Sequence, residues 1–252
     1  MNGKKPILAM IALDDGALPP LEPVLQCLRQ ALPDAPAATA IESRADLCSF
    51  RIGDEQGAYA LMPTPIPWRE LEQPCAEAWY WPQAAETMRR HRRHVVVTLA
   101  GGRSDMATRC LLLTQVTAAL AANSHCTGIY WGAGALVNSA PDFIAQSRDM
   151  SREYLPLSLW IGFRTRQRDD DTIDMYTVGM KVFGHHEIEV QGSRAEPKRI
   201  LNTVFSAAHY LIDNGPVFSD GDSFGLTEDD EVAIHIVRSA RNPSQQVYQF
   251  SF

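Results

Sequence analysis

The chain has 252 residues, 45% hydrophobic and 21% charged, which are the proportions of a folded globular protein and not of a disordered one. Its 30 acidic side chains outweigh 23 basic ones, and the formal charge of −7 argues against a broad electrostatic nucleic-acid binder. The strongly apolar stretches, residues 6–13 and 94–100, fall far short of the roughly 20 residues a membrane-spanning helix needs. Lys4 and Lys5 are followed by Asp14 and Asp15 with no small-residue cleavage site, so no secretory signal is read and a cytoplasmic location is expected.

Residues 6–13 (PILAMIAL), closed by Asp14-Asp15-Gly16, predict a buried first strand and a turn. Leu21, Val24, Leu25 and Leu28 recur at helical spacing and predict an amphipathic helix that starts after Pro19-Pro20 and stops before Pro33. Residues 38–42, 47–52 and 58–62 read as a meander of short strands leading to Pro63, Pro65 and Pro67. An aromatic, acidic stretch from Trp68 to Trp81 precedes a helix carrying Ala84, Ala85 and Met88, which ends in the basic cluster Arg89, Arg90, His91, Arg92 and Arg93. Positive charge at a helix C-terminus is favoured by the macrodipole, so a solvated helix end is the first reading of that cluster and an anion or partner site the second.

Residues 94–100 (HVVVTLA) predict a buried central strand, because three consecutive valines leave no polar face. Ser104 or Asp105 can cap a helix in which Met106, Cys110, Leu113, Val116 and Leu120 keep helical period. A strand at 128–134 and a helix at 141–150 follow. Residues 155–166, 172–180 and 187–190 are strand-like, 197–212 is helical, and 231–237 and 246–252 are terminal strands. The pattern predicts an α+β fold with mixed, largely antiparallel sheets and packed helices, in which the strand-helix-strand portion near 94–134 could supply parallel pairing. No composition-defined linker interrupts residues 1–252, so a single domain is expected.

The five cysteines, Cys27, Cys48, Cys75, Cys110 and Cys126, are scattered without a C-x-x-C pair and read as reduced core residues. His185, His186, Glu187 and Glu189 (GHHEIEV) are of metal-ligand or acid-base type, but strand alternation sends His186 to the face opposite His185, Glu187 and Glu189, and the H-E-x-x-H spacing is absent. Asp220, Gly221 and Asp222 suggest a calcium loop, yet Phe224 occupies a ligand position, so a structural turn is the better reading. No nucleophile elbow, phosphate loop or dinucleotide fingerprint appears, so no catalytic residue, metal or cofactor is assigned. Charge is unevenly placed. Residues 1–126 carry 12 basic and 13 acidic side chains, and residues 127–252 carry 11 and 17. Two acidic blocks stand out, Asp169, Asp170, Asp171 and Asp174 at a predicted hairpin tip and Glu228, Asp229, Asp230 and Glu231 before a strand. They read either as solvated loops or as surfaces complementary to a basic partner.

Trp81-Pro82 leading to HVVVTL, LPLSLWIGFR at 155–164, YTVGMKVFGHHEIEV at 176–190 and AAHYLIDNGPVFSDGDSFG at 207–225 together resemble the bacterial domain-of-unknown-function family four-two-six-one over roughly residues 80–225. The paired histidines and Ser223, where Thr is expected, depart from the pattern. Relatives resemble proteins encoded beside polymorphic or type VI secretion toxins, so the resemblance implies an immunity role. The expectation is an antitoxin-like immunity protein that binds a cognate toxin, in particular a nuclease, through the two acidic blocks, with no direct nucleic-acid or membrane contact and an undetermined oligomeric state. A small metal-dependent hydrolase using residues 185–189 and a secretion-system adaptor are the alternatives.

Overall fold

The computed structural model describes residues 5–31, 36–168, 171–225 and 231–252. The chain divides into two compact units, Met1–Leu159 and Trp160–Phe252. The first runs β1 (Ile7–Leu13), α1 (Leu21–Ala31), β2 (Thr39–Ser43), β3 (Leu47–Ile52), β4 (Glu55–Met62), α2 (Trp68–Ala76), α3 (Ala84–Arg90), β5 (Arg93–Gly101), α4 (Met106–Ala122), β6 (Cys126–Trp131), β7 (Leu136–Ser139) and α5 (Ala140–Arg148), and ends in the short α6 (Leu157–Trp160). The boundary between the units falls inside α6, where the sequence offers no Gly/Pro-rich break.

The seven strands of the first unit form one sheet in the order β2-β3-β4-β5-β1-β6-β7, antiparallel at every neighbouring pair. β5 is therefore central, as its composition predicts. The parallel pairing expected near 94–134 is not formed: β5 and β6 run in the same direction, but β1 lies between them and pairs antiparallel with both. β5 also alternates instead of being buried on both faces. Val95, Val97 and Leu99 are 0–1% exposed, whereas Val96 is half-buried.

Register explains where the core sits. Ile11 pairs with Val95 and Ile129, and Ala9 with Val97 and Trp131, so these side chains share the face on which α4 packs. α4 also touches α1 and α5, and 13 of its 17 residues are buried, so the helical period read from its sequence marks only part of its buried surface. Its polar residues tolerate this because the Thr114 and Thr117 hydroxyls donate to the Cys110 and Leu113 carbonyls at 2.8 and 2.7 Å, and the Gln115 amide donates to the Ser147 carbonyl at 2.9 Å. On the opposite face, Leu71, Cys75, Trp81, Ala84 and Met88 of the α2–α3 region close a second core over Ala12, Tyr130 and Val137. Gly128 is required there, since a Cβ would fall 2.6 Å from the Met88 sulfur and 2.8 Å from the Trp81 ring.

The second unit runs β8 (Gly162–Gln167), β9 (Ile173–Val178), a 3-10 turn (Met180–Phe183), β10 (Glu187–Ser193), α7 (Pro197–Asn214), β11 (Ser223–Phe224), β12 (Val232–Arg238) and β13 (Gln246–Ser251). The expected strand at 155–166 thus begins only at Gly162. Its sheet has the order β11-β12-β13-β10-β9-β8, mixed through the one parallel pair β10–β13. α7 begins with Pro197 in its first turn and buries Ile200, Val204, Ala207, Ala208 and Leu211. Aromatic contacts join helix to sheet: Phe205 lies 5.2 Å from Phe163, and Tyr210 stacks 5.9 Å from Phe218, which meets Tyr248 and Phe250 edge-on. Strand alternation then sends Arg164, Arg166, Asp174, Tyr176 and Glu189 to the other face, where register aligns Arg164 with Tyr176 and Tyr176 with Glu189. Each unit combines helices with a largely antiparallel sheet, so the protein is an α+β fold. No helix among the described residues is long and apolar enough to cross a membrane.

Candidate functional site

The two carboxylates of the GHHEIEV segment are occupied by structural work. The Glu187 carboxylate accepts from the Thr177 hydroxyl at 2.8 Å and from the backbone N–H groups of Gly179, Met180 and Lys181 at 3.1, 3.2 and 3.4 Å, so it plugs the open donors of the 3-10 turn. His185 lies before the strand, donates its backbone N–H to the Met180 carbonyl and is 6% exposed. Burial, followed by the neighbouring His186, pushes its imidazole below the usual histidine range. His186 packs edge-on against Tyr248 at 5.2 Å. Among the described residues no three His, Cys, Asp or Glu side chains gather as a metal-holding group.

Of the acidic blocks, Asp169, Asp170, Glu228, Asp229 and Asp230 lie outside the described residues. Asp171 is exposed. Asp174 accepts the Gly192 N–H at 2.8 Å and stands 3.7 Å from the Arg168 guanidinium, and Glu231 accepts from the Ser223 hydroxyl at 3.1 Å. The Asp220-Gly221-Asp222 loop is a hydrogen-bonded turn: Asp220 accepts the Ile236 N–H, Asp222 accepts the Ser219 N–H, and Gly221 takes a φ of +89°. All five cysteines are free, and burial raises the thiols of Cys75 to about 11 and Cys126 to about 12, far from nucleophilic values.

In the basic cluster at 89–93, Arg89, Arg90, His91 and Arg93 are likewise committed. Arg89 stacks 3.6 Å over the Trp68 ring, Arg90 pairs with Glu86, and Arg93 donates to the Gly16 carbonyl at 2.8 Å. His91 is buried as a neutral bridge: its Nε2 accepts the Ile66 N–H at 2.6 Å and its Nδ1–H donates to the Met88 carbonyl. Beside this second core, the α2–α3 connection holds the Trp79 ring 69% exposed. Tyr80 meets that ring edge-on at 5.8 Å and donates its hydroxyl to the Val137 carbonyl at 2.9 Å, while the backbone N–H of Trp79 donates to the Glu77 carbonyl at 3.0 Å.

A cleft of about 170 Å³ opens on the second unit's sheet, opposite α7, lined by Arg166, Arg168, Asp174, Tyr176, Glu189 and Arg241 among others. Its construction starts from Glu189, 4% exposed, which accepts from the Ser239 hydroxyl and from the Ala240 N–H at 3.3 Å. The Ser239 oxygen in turn accepts the N–H groups of Arg241 and Asn242 at 3.1 and 3.0 Å, so one buried carboxylate fixes the turn that delivers Arg241. The Arg241 guanidinium lies 3.3 Å over the centre of the Tyr176 ring. Sequence reasoning missed this assembly. The R-x-R-x-R spacing of Arg164, Arg166 and Arg168 was the available signal, since period two on a strand places all three on one face. Nothing local points to Arg241, which arrives from a loop more than 70 residues later.

No curated protein and no solved structure matches the chain. A family match begins at Tyr176, so it includes the C-terminal motifs, the Glu187 plug and the Glu189–Ser239–Arg241 mount, whereas residues 80–175 of the resemblance lie outside it. Over residues 176–251 the chain is similar to the family described as Domain of unknown function (DUF4261).

Proposed function

We propose that the protein is an immunity-type binding protein that neutralises a cognate secreted bacterial toxin, with a type VI secretion nuclease as the favoured class, in the cytoplasm of the producing cell. The observation that carries this reading is the mounted aromatic pair Trp79–Tyr80. The Trp79 ring is 69% exposed and meets Tyr80 edge-on, and Tyr80 is tied in turn through its hydroxyl to the Val137 carbonyl. Pre-organised Trp and Tyr side chains are the residues that dominate protein interfaces, because they bury a large area and lose little freedom. The adjoining α2 presents the exposed carboxylates of Glu70 and Glu72, and the chain's charge of −7 favours encounter with a basic partner. The acidic stretches at 169–174 and 228–231 enter this reading as steering charges. Glu187 and Glu189 already accept hydrogen bonds from Thr177 and Ser239, so neither carboxylate of the hydrolase alternative is free to act as a base.

Deleting the gene from the native strain tests the reading. The deletion strain should be killed in contact with its parent and rescued by supplying this chain in trans, and survival at the parental level without the gene would overturn it. With the toxin in hand, Trp79→Ala should weaken binding about thirtyfold or more, the effect of losing a hot spot of roughly 2 kcal/mol.

A further inference from the structure

The geometry points to the cleft between Arg166, Arg168 and Arg241 as a binding site for a small oxyanion, a phosphate or carboxylate group carried by a small molecule. Three guanidinium groups line one concavity on a single sheet face. Of the described residues, the two carboxylates lining the cleft, Asp174 and Glu189, do not neutralise them in full. Glu189 is taken up by Ser239 and the Ala240 N–H. Asp174 accepts the Gly192 N–H and faces Arg168 only at 3.7 Å. Among the described residues, Arg166 and Arg241 stand within ion-pair distance of no carboxylate at all. Like charges held together in this way repel unless an anion joins them, and a planar guanidinium is the group best matched to the paired oxygens of phosphate and carboxylate.

The site is also pre-organised. Stacking on Tyr176 holds the Arg241 guanidinium flat, so its N–H donors lie in a fixed plane, and the Glu189–Ser239 bond sets the turn behind it. Gly192, at φ +56° in the β10 bulge, leaves room for Arg168, since a Cβ there would approach its Nη1 to 3.2 Å. A volume of about 170 Å³ lies below the roughly 300 Å³ at which pockets begin to enclose drug-sized molecules, so the ligand is small and is held by its charged group.

The test titrates the full chain with inorganic phosphate and, in a second arm, with succinate, each against sodium chloride at equal ionic strength, by calorimetry and by the change in unfolding temperature. Saturable binding of one anion beyond the chloride control is expected, and the arm that binds more tightly identifies the ligand's charged group. Arg166→Gln and Arg241→Gln should each weaken binding roughly tenfold to a hundredfold, the worth of a charge-assisted hydrogen bond. Arg241→Lys should recover only part, because it keeps the charge and loses the fork. Arg69→Gln, on an exposed helix position of the first unit, should change nothing. Arg166 touches no described carboxylate, so its variant should keep the wild-type circular dichroism spectrum and unfolding midpoint in chloride. Binding of neither anion above chloride, or equal binding by wild type and the Arg166→Gln/Arg241→Gln double variant, would overturn the assignment.

Discussion

Replacing Arg109 by alanine should be among the most damaging single changes in the first unit. The side chain is 0% exposed on α4, its Nε lies 3.1 Å from the Glu55 carboxylate, and its Nη1 and Nη2 donate to the Lys5 and Leu99 carbonyls at 3.1 and 3.0 Å. Glu55, 1% exposed, has little other support: the Ser104 N–H at 3.3 Å is its second donor. It cannot swing away, because Gly102, at φ +70°, packs so closely that a Cβ there would fall 1.9 Å from the carboxylate oxygen. Truncating Arg109 therefore strands a buried charge, which costs about 3–5 kcal/mol. A domain with roughly 5–15 kcal/mol in total loses a large share of its stability. For a unit of this size the unfolding midpoint should drop by about 6–20 °C, at ~2–4 °C per kcal/mol. Thermal and urea unfolding followed by tryptophan fluorescence measure this directly. Arg109→Met combined with Glu55→Leu should recover most of the loss, since an apolar pair of similar volume removes the stranded charge. If Arg109→Ala stays within about 1 kcal/mol of wild type, the pair is not the clamp described.

Two further outcomes are expected. Val97→Asp, at a position 0% exposed and paired with Ala9 and Tyr59, should abolish soluble expression, whereas Val96→Asp on the half-buried face should cost only about 1 kcal/mol; equal tolerance of both would contradict the observed register. Stability should also fall on mild acidification. Burial holds the folded pKa values of His91, His94 and His185 below the unfolded value of 6.5, so the unfolded chain binds more protons as pH drops through 6.5. The stabilisation from neutral imidazoles is thus complete above pH ~6.5 and is lost towards each folded pKa, with a slope of at most about 1.4 kcal/mol per pH unit per group. Unfolding midpoints at pH 7.5, 6.5 and 5.5 check this: His91→Asn should flatten the slope, and a flat wild-type profile would refute it.

Local signals in the sequence carried most of the elements. The Leu21, Val24, Leu25 and Leu28 spacing gives the buried face of α1, Asp105 caps α4 through the Thr108 N–H, and the HVVVTLA run is the central strand. What stayed hidden depends on distant partners. Nothing in residues 94–100 tells that helices cover only part of one sheet face, so Val96 looked as buried as Val97. Strand order was equally silent, because the insertion of β1 between β5 and β6 is a pairing choice made across the whole unit. In the cleft, the strand arginines went unread although their alternation was available as a signal, while Arg241 depends on a turn anchored by Glu189 from another strand. The carboxylates of GHHEIEV looked available because their partners, a 3-10 turn and a distant serine, are tertiary contacts.

The place of β1 also governs how the protein comes into being. It ends at residue 13, but its neighbours β5 and β6 begin at residues 93 and 126. At ~5–20 residues per second the ribosome needs roughly 4–16 s to deliver β5 after β1 has emerged, and longer to deliver β6. Throughout that time an apolar strand with both edges unsatisfied waits on the nascent chain, open to pairing with the wrong partner. The meander β2–β4 is synthesised within that interval, and β1 is the strand that links its side of the sheet, through β5, to β6 and β7. Occluding residues 7–13 would then act on assembly of the whole first unit, because β1 joins β5 to β6.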